Sequence, residues 1–138
     1  MLLSVRRLKA RYVLGAIVIG SLLFWYLALP IVRVHYSKGA TDELRYIWNT
    51  QHSIHKEGLL PGQATYDTGH IFPDRNFFII FDWWSEKSLR RCIDITPQWA
   101  GAMDIYLNAA GRIDRAATSP EVMAHLKQCE GEAGPFRP

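Results

Sequence analysis

The chain has 138 residues and a formal charge of +3, from 16 Lys or Arg against 13 Asp or Glu. Residues 1–38 hold six basic side chains and no acid, whereas residues 39–138 hold ten against all thirteen acids, a balance of −3. The part beyond the first segment is large enough for one small domain, and it lacks the net basic charge expected of a nucleic-acid-binding domain, so no nucleic-acid partner is expected.

Arg6, Arg7, Lys9 and Arg11 make residues 1–11 a basic N-terminus. No charge then occurs from Tyr12 to Val32. At ~1.5 Å of rise per residue a helix of that length spans about 30 Å, the thickness of a bilayer's hydrocarbon core. The expectation is a transmembrane signal anchor over residues 12–34, with Trp25, Tyr26 and Tyr36 near one interface and Pro30 at a kink or in the last turn. A cleaved signal peptide is the competing reading. It calls for a shorter apolar core and a small-x-small site, and Tyr26 stands in the minus-three position of the candidate ending at Ala28.

Four cations precede the span, while Arg33 and Lys38 beyond it are followed by Asp42 and Glu43. The positive-inside rule then leaves the N-terminus in the cytoplasm and exports the C-terminal domain. The absence of an Asn-x-Ser/Thr acceptor agrees with a bacterial setting, so the expected location is a bacterial inner membrane with the domain in the periplasm. Ala16 and Gly20 have the four-residue spacing of small residues that suits close helix packing.

The exported part, residues 40–129, is expected to be α+β: a helix, an antiparallel sheet of three to five strands and a C-terminal helix. Thr41, Asp42, Glu43 and Gly58 supply start and stop signals for a helix from about Asp42 to Glu57. Leu44, Ile47, Trp48, Gln51, Ile54 and His55 would form its stripe. Residues 58–76 are punctuated by Gly and Pro and read as a long loop hiding a strand near Ala64–Thr68. Phe77–Trp84 is apolar and aromatic throughout and suits a central strand covered on both faces. Leu89–Ile95 alternates, with Leu89, Arg91, Ile93 and Ile95 on one face. Met103–Asn108 and Arg112–Ala117 read as a hairpin in which Gly111 supplies the positive φ. Ser119-Pro120-Glu121 opens a helix whose inner face holds Val122, Met123, Leu126 and Cys129. Residues 130–138 read as a flexible tail.

Cys92 and Cys129 both fall in the exported part, where a disulfide is the default, closing a loop for which chain entropy gives about 4 kcal/mol. No metal site is expected: His52 and His55 share a helical face without a third ligand, and two thiolates do not complete a zinc shell. No cofactor is expected either, because the glycines lack P-loop and Rossmann spacing. Asp67-Thr68-Gly69 resembles the aspartic-protease triplet, but a matching second carboxylate is missing and a turn explains the residues. A small hydrolase using Asp67 and His70 remains a minor reading, as does a pairing of Asp104 with Asp114. No serine sits in a nucleophile elbow.

The aromatic load is the residual signal. Adjacent strand residues Trp83 and Trp84 must point to opposite faces, and with Trp99 they are candidate anchors for a protein partner. The functional expectation is a non-enzymatic, membrane-anchored binding module with one protein partner, in its most specific form an immunity protein that neutralises a toxin delivered to the periplasm. The alternative is an accessory subunit of an envelope secretion, pilus or conjugation complex, assembled through its transmembrane helix.

Overall fold

Basic at its start, then uncharged and rich in Leu, Ile and Val from Tyr12 onward, the first segment forms helix α1, Leu2–Ala28. The computed structural model describes residues 2–51, 53–87, 90–95 and 101–129. Within α1, the stretch Arg7–Ala28 is long and apolar enough to cross a membrane, with mean hydropathy 1.6 and none of its most apolar window buried against the rest of the chain. Leu29 N–H donates the last helical bond, to Trp25 O at 3.0 Å. Pro30 has no N–H with which to continue the ladder, and the chain turns directly into strand β1, Ile31–Tyr36. The helix thus ends at Ala28, six residues before the expected anchor boundary at residue 34. Val32 and Val34, read as the end of the span, are fully buried in the folded domain.

Seven further strands follow: β2 (Leu44–Thr50), β3 (Ser53–Leu59), β4 (Ala64–Thr68), β5 (Ile79–Trp84), β6 (Arg91–Asp94), β7 (Ala102–Leu107) and β8 (Lys127–Gln128). A short helix α2, Pro120–Ala124, lies between the last two. The strands form two sheets, in the orders β4-β1-β7 and β3-β2-β5-β6-β8. Every pairing is antiparallel except β1 with β7, which run parallel. The domain is α+β, as the sequence indicates, but its sheet structure is divided between two sheets.

Period-two alternation explains the core. Val32, Val34 and Tyr36 of β1 pair with Met103, Ile105 and Leu107 of β7, and all six are buried. The larger sheet contributes Leu44, Tyr46 and Trp48 from β2, Ile79, Phe81 and Trp83 from β5, and Ile93 from β6 to the same cluster. Strand β5 is the middle one of five, as its apolar run requires. Rings pack through the centre, with Phe81 tilted on Trp48 at 4.4 Å and stacked on Trp83 at 5.3 Å between ring centres.

The helix expected from Asp42 to Glu57 is replaced by strands β2 and β3, paired antiparallel, in which Leu44 faces Leu59, Tyr46 faces Glu57 and Trp48 faces His55. The strand expected at Ala64–Thr68 is β4. After β7 a turn brings Ile113 opposite Leu107 as a single bridge in place of a full second strand. Gly111 takes φ +74° there, and Asn108 Oδ1 accepts from Ala110 N and Arg112 N. Ser119 caps α2 by accepting from Val122 N–H, and Val122, Met123 and Leu126 pack on the core. The helix is shorter than its apolar spacing suggests. The chain extends into β8 beside β6, which sets Cys129 next to Cys92 with Cα atoms 5.6 Å apart in a disulfide.

Candidate functional site: an open cleft between two sheet edges

Strands β3 and β4 are the outer strands of different sheets, and among the described residues neither has a partner on its far side. In an antiparallel pair, residues directly opposite share a face, so Ser53, His55, Glu57 and Leu59 of β3 lie on the same face as Thr50, Trp48, Tyr46 and Leu44. Only Leu59 of those four β3 residues is apolar and buried. By the same rule Thr65 and Asp67 of β4 share the inner face with Val34 and Val32. Both edge strands thus turn polar groups inward where a closed sandwich would place apolar ones, and the sheets stay open there. The cleft holds about 430 Å³ and is lined by Tyr46, Trp48, Ser53, His55, Glu57, Thr65, Tyr66 and Asp67, with Ala64 at its margin.

Its floor is fixed by hydrogen bonds. Trp48 Nε1 donates to Thr65 Oγ1 at 3.0 Å, joining the two sheets. The Tyr46 hydroxyl donates to Glu57 Oε2 at 3.2 Å, and His55 Nε2 lies 3.2 Å from Glu57 Oε1, so Glu57 is held from two sides. Burial pushes the Tyr46 phenol up, and the nearby Glu57 carboxylate adds to this, against an opposing hydrogen bond with Thr65. Asp67 is half-buried, and burial raises its pKa; the Thr68 N–H and the charge of His55 pull the other way. The Thr68 N–H donates to Asp67 Oδ1 at 2.8 Å, and Oδ2 has no protein donor among the described residues. A carboxyl partly stripped of water and incompletely compensated favours a cation or a hydrogen-bond donor entering beside it.

Other candidates fall elsewhere. His70 does not line the cleft; its ring sits edge-on to Phe77 at 4.8 Å, and His55 is the imidazole whose charge reaches Asp67. Among the described residues, no hydroxyl or thiol is hydrogen-bonded to His55, and no three His, Cys, Asp or Glu side chains gather as a metal would need. His52, Leu89 and Trp99 lie outside the described residues.

Asp104 and Asp114 are not a pair. Asp114 Oδ1 accepts from Ala116 N and Ala117 N in a turn. Asp104 joins β7 to β1 on the outer face of the small sheet. Arg33 reaches it through Nε and a terminal nitrogen, each at 2.8 Å, and His35 Nε2 lies 2.7 Å away. Burial pushes this carboxyl up, but hydrogen bonds and charge from Arg33 and His35 outweigh it and hold the group below the usual carboxylate range. The His35 ring also stacks on Tyr106 at 4.7 Å.

The tryptophan candidates separate as their alternation requires. Trp83 is buried in the core and donates Nε1–H to Gly111 O, so it is not a surface anchor. Trp84 is half-buried on the opposite face under the Arg90 guanidinium, 5.7 Å from the ring centre. It lines a second hollow of about 420 Å³ with Thr41, Asp42, Glu43, Arg45, Glu86 and Lys87. On α1, a Cβ at Gly20 would meet nothing within 4 Å outside the helix's own nearby backbone, so the domain does not pack on the face expected for helix packing at that position. Comparison with protein-family models, curated proteins and solved structures finds no match to this chain.

Proposed function

We propose that the protein is a membrane-anchored, non-enzymatic binding module on the periplasmic side of a bacterial inner membrane, and that it takes hold of one protein partner at the β3–β4 cleft. The observation that carries this reading is the half-buried Asp67 of β4, facing a cleft between two strand edges that have no outer partner among the described residues. An extended segment of a partner can pair with such an edge through main-chain hydrogen bonds while a side chain enters the cleft. Glu57 and Asp67 favour a lysine or arginine there, with Tyr46 and Tyr66 as aromatic walls. Neutralisation of a toxin delivered to the periplasm is the specific form we put forward. It requires a small disulfide-tied domain held where the toxin arrives, and only two residues, Leu29 and Pro30, separate α1 from β1.

Affinity purification of the full chain from native membranes tests this. One partner in one-to-one ratio is expected, with about tenfold weaker retention when Glu57→Gln and Asp67→Asn are combined. Retention that is indifferent to both substitutions removes the cleft from the mechanism.

The four-residue spacing of Ala16 and Gly20 on α1 supports a second reading, an accessory subunit assembled through its span within an envelope complex. There, Ala16→Leu with Gly20→Leu abolishes assembly while leaving insertion intact. An unrelated span that restores assembly sinks that reading.

A further inference from the structure

Topology gives the β4–β5 loop a direction. Strand β1 leaves the end of α1 and runs away from it, and β4 is antiparallel to β1, so β4 returns toward the helix. It arrives at the helix exit: Thr68 is paired with Ile31, and Gly69 N–H donates to Pro30 O at 2.8 Å. A Cβ at Gly69 would lie 3.1 Å from Pro30 Cγ and 3.6 Å from Ile79 Cδ1, so β5 begins at the same level. Residues 70–78 therefore leave and re-enter the domain beside the last turn of α1. Their outward course is the one β4 already follows.

This loop is built and carries a bare aromatic side chain at its head. Asp74 Oδ1 accepts from Asn76 N at 2.8 Å, and Asp74 also accepts from Gln51 Nε2 of the β2–β3 turn at 3.3 and 3.4 Å. Phe77 packs against the core, but Phe72 is 87% exposed, the most exposed of the domain's large apolar side chains among the described residues. Arg75, three residues on in the same loop, is also exposed.

Depth follows from bilayer dimensions. If α1 fills the hydrocarbon core and ends at Ala28, the next several ångströms are the headgroup layer, roughly 6 Å on each side. Pro30 and the Gly69 that bonds to it fall in that layer. Phe72 is three residues further on, within about 10 Å of chain. Trp25 and Tyr26 lie in the last turn of α1, at the level where interfacial aromatics are enriched.

We infer that the β4–β5 loop enters the interfacial layer of the bilayer that α1 spans, with Phe72 at the headgroup–acyl boundary and Arg75 at the phosphates. This second lipid contact rests on the reading of α1 as a span, and it fixes the tilt of the domain so that the β3–β4 cleft keeps one orientation to the membrane.

Spin labels at Phe72→Cys, Ile17→Cys and Ala110→Cys, in the full chain reconstituted into phosphatidylethanolamine–phosphatidylglycerol vesicles, test it. Collisional access to oxygen and to a water-soluble nickel chelate is the readout, and the paired Cys92 and Cys129 take no label. Ala110 follows β7, which runs parallel to β1, and so marks the end away from the helix. The Phe72 label is expected to favour oxygen several-fold over the Ala110 label, with Ile17 deeper still. Water-like access at Phe72 while Ile17 sits in lipid overturns the loop contact and leaves the span intact. Water-like access at Ile17 overturns the span itself. Shielding of Phe72 from both reagents identifies a protein neighbour there and also overturns the lipid contact.

Discussion

Trp48 of the five-stranded sheet donates its indole N–H to Thr65 Oγ1 of the three-stranded sheet, and both residues are buried at the point where the sheets begin to part. On the core side of this bond the facing residues are apolar. On the other side they are Ser53, His55, Glu57 and Asp67. The bond marks where packing gives way to a binding cleft, and its removal should loosen the cleft floor.

Replacing Thr65 with Val keeps the shape and deletes the acceptor, leaving a buried indole N–H without a partner. A loss of about 1–3 kcal/mol is expected in urea denaturation. Thr65→Ser should recover most of it, and Trp48→Phe combined with Thr65→Val should cost less than the two single changes added together. Strict additivity would mean that the two side chains are not coupled.

The disulfide ties β6 to the C-terminal strand across 37 residues. Cys92→Ser or Cys129→Ser should each remove about 4 kcal/mol, read as a lower midpoint that a reductant reproduces in the native chain. Formation of the bond in cells should depend on export. A phosphatase fused after residue 138 is expected to be active, with the cysteines oxidised on a non-reducing gel. An inactive fusion with free thiols contradicts the periplasmic assignment.

Two carboxyls should give opposite pH signatures. Asp67 has a raised pKa in the folded chain, so its contribution to stability is complete below the unfolded value, ~3.9, and is lost as pH rises through the folded value. At pH 7 the ionised group works against folding, and Asp67→Asn should raise the melting temperature there, with the gain vanishing toward acid. Asp104 has a lowered pKa, so its contribution is complete above ~3.9 and is lost as pH falls through the folded value. Asp104→Asn should lower the melting temperature at pH 7, and the deficit should shrink under acid conditions. Parallel pH curves for the two variants would show that the difference in their surroundings does not govern stability.

Legibility from sequence follows from where each strand's faces point. Strands β4 and β5, the Gly111 turn, the Ser119 cap and the disulfide are written in turn residues, apolar runs and cysteine count. Strand β1 was hidden because Val32 and Val34 continue the greasy stretch of α1, and only Pro30 marks the boundary. The β2–β3 hairpin resembles a helix in sequence because Leu44, Ile47, Trp48, Gln51 and Ile54 also fit a helical stripe. The competing period of two, clear in Leu44, Tyr46 and Trp48, stops at β3, whose inner positions are Ser53, His55 and Glu57. Those positions are polar because they line a cleft. The feature that disguised the strand is the one that makes it a candidate site, and Asp67 was visible only as a turn residue until β3 was set opposite it.

A photo-crosslinking amino acid in place of Tyr66, at the mouth of the cleft, compared with the same group at Ala110, tests partner binding most directly in native membranes. One crosslinked species of defined mass is expected from position 66 alone, and it should fade when Glu57→Gln and Asp67→Asn are added. Equal crosslinking from both positions, or none from position 66 in cells where the partner is made, would contradict a binding role for the β3–β4 cleft.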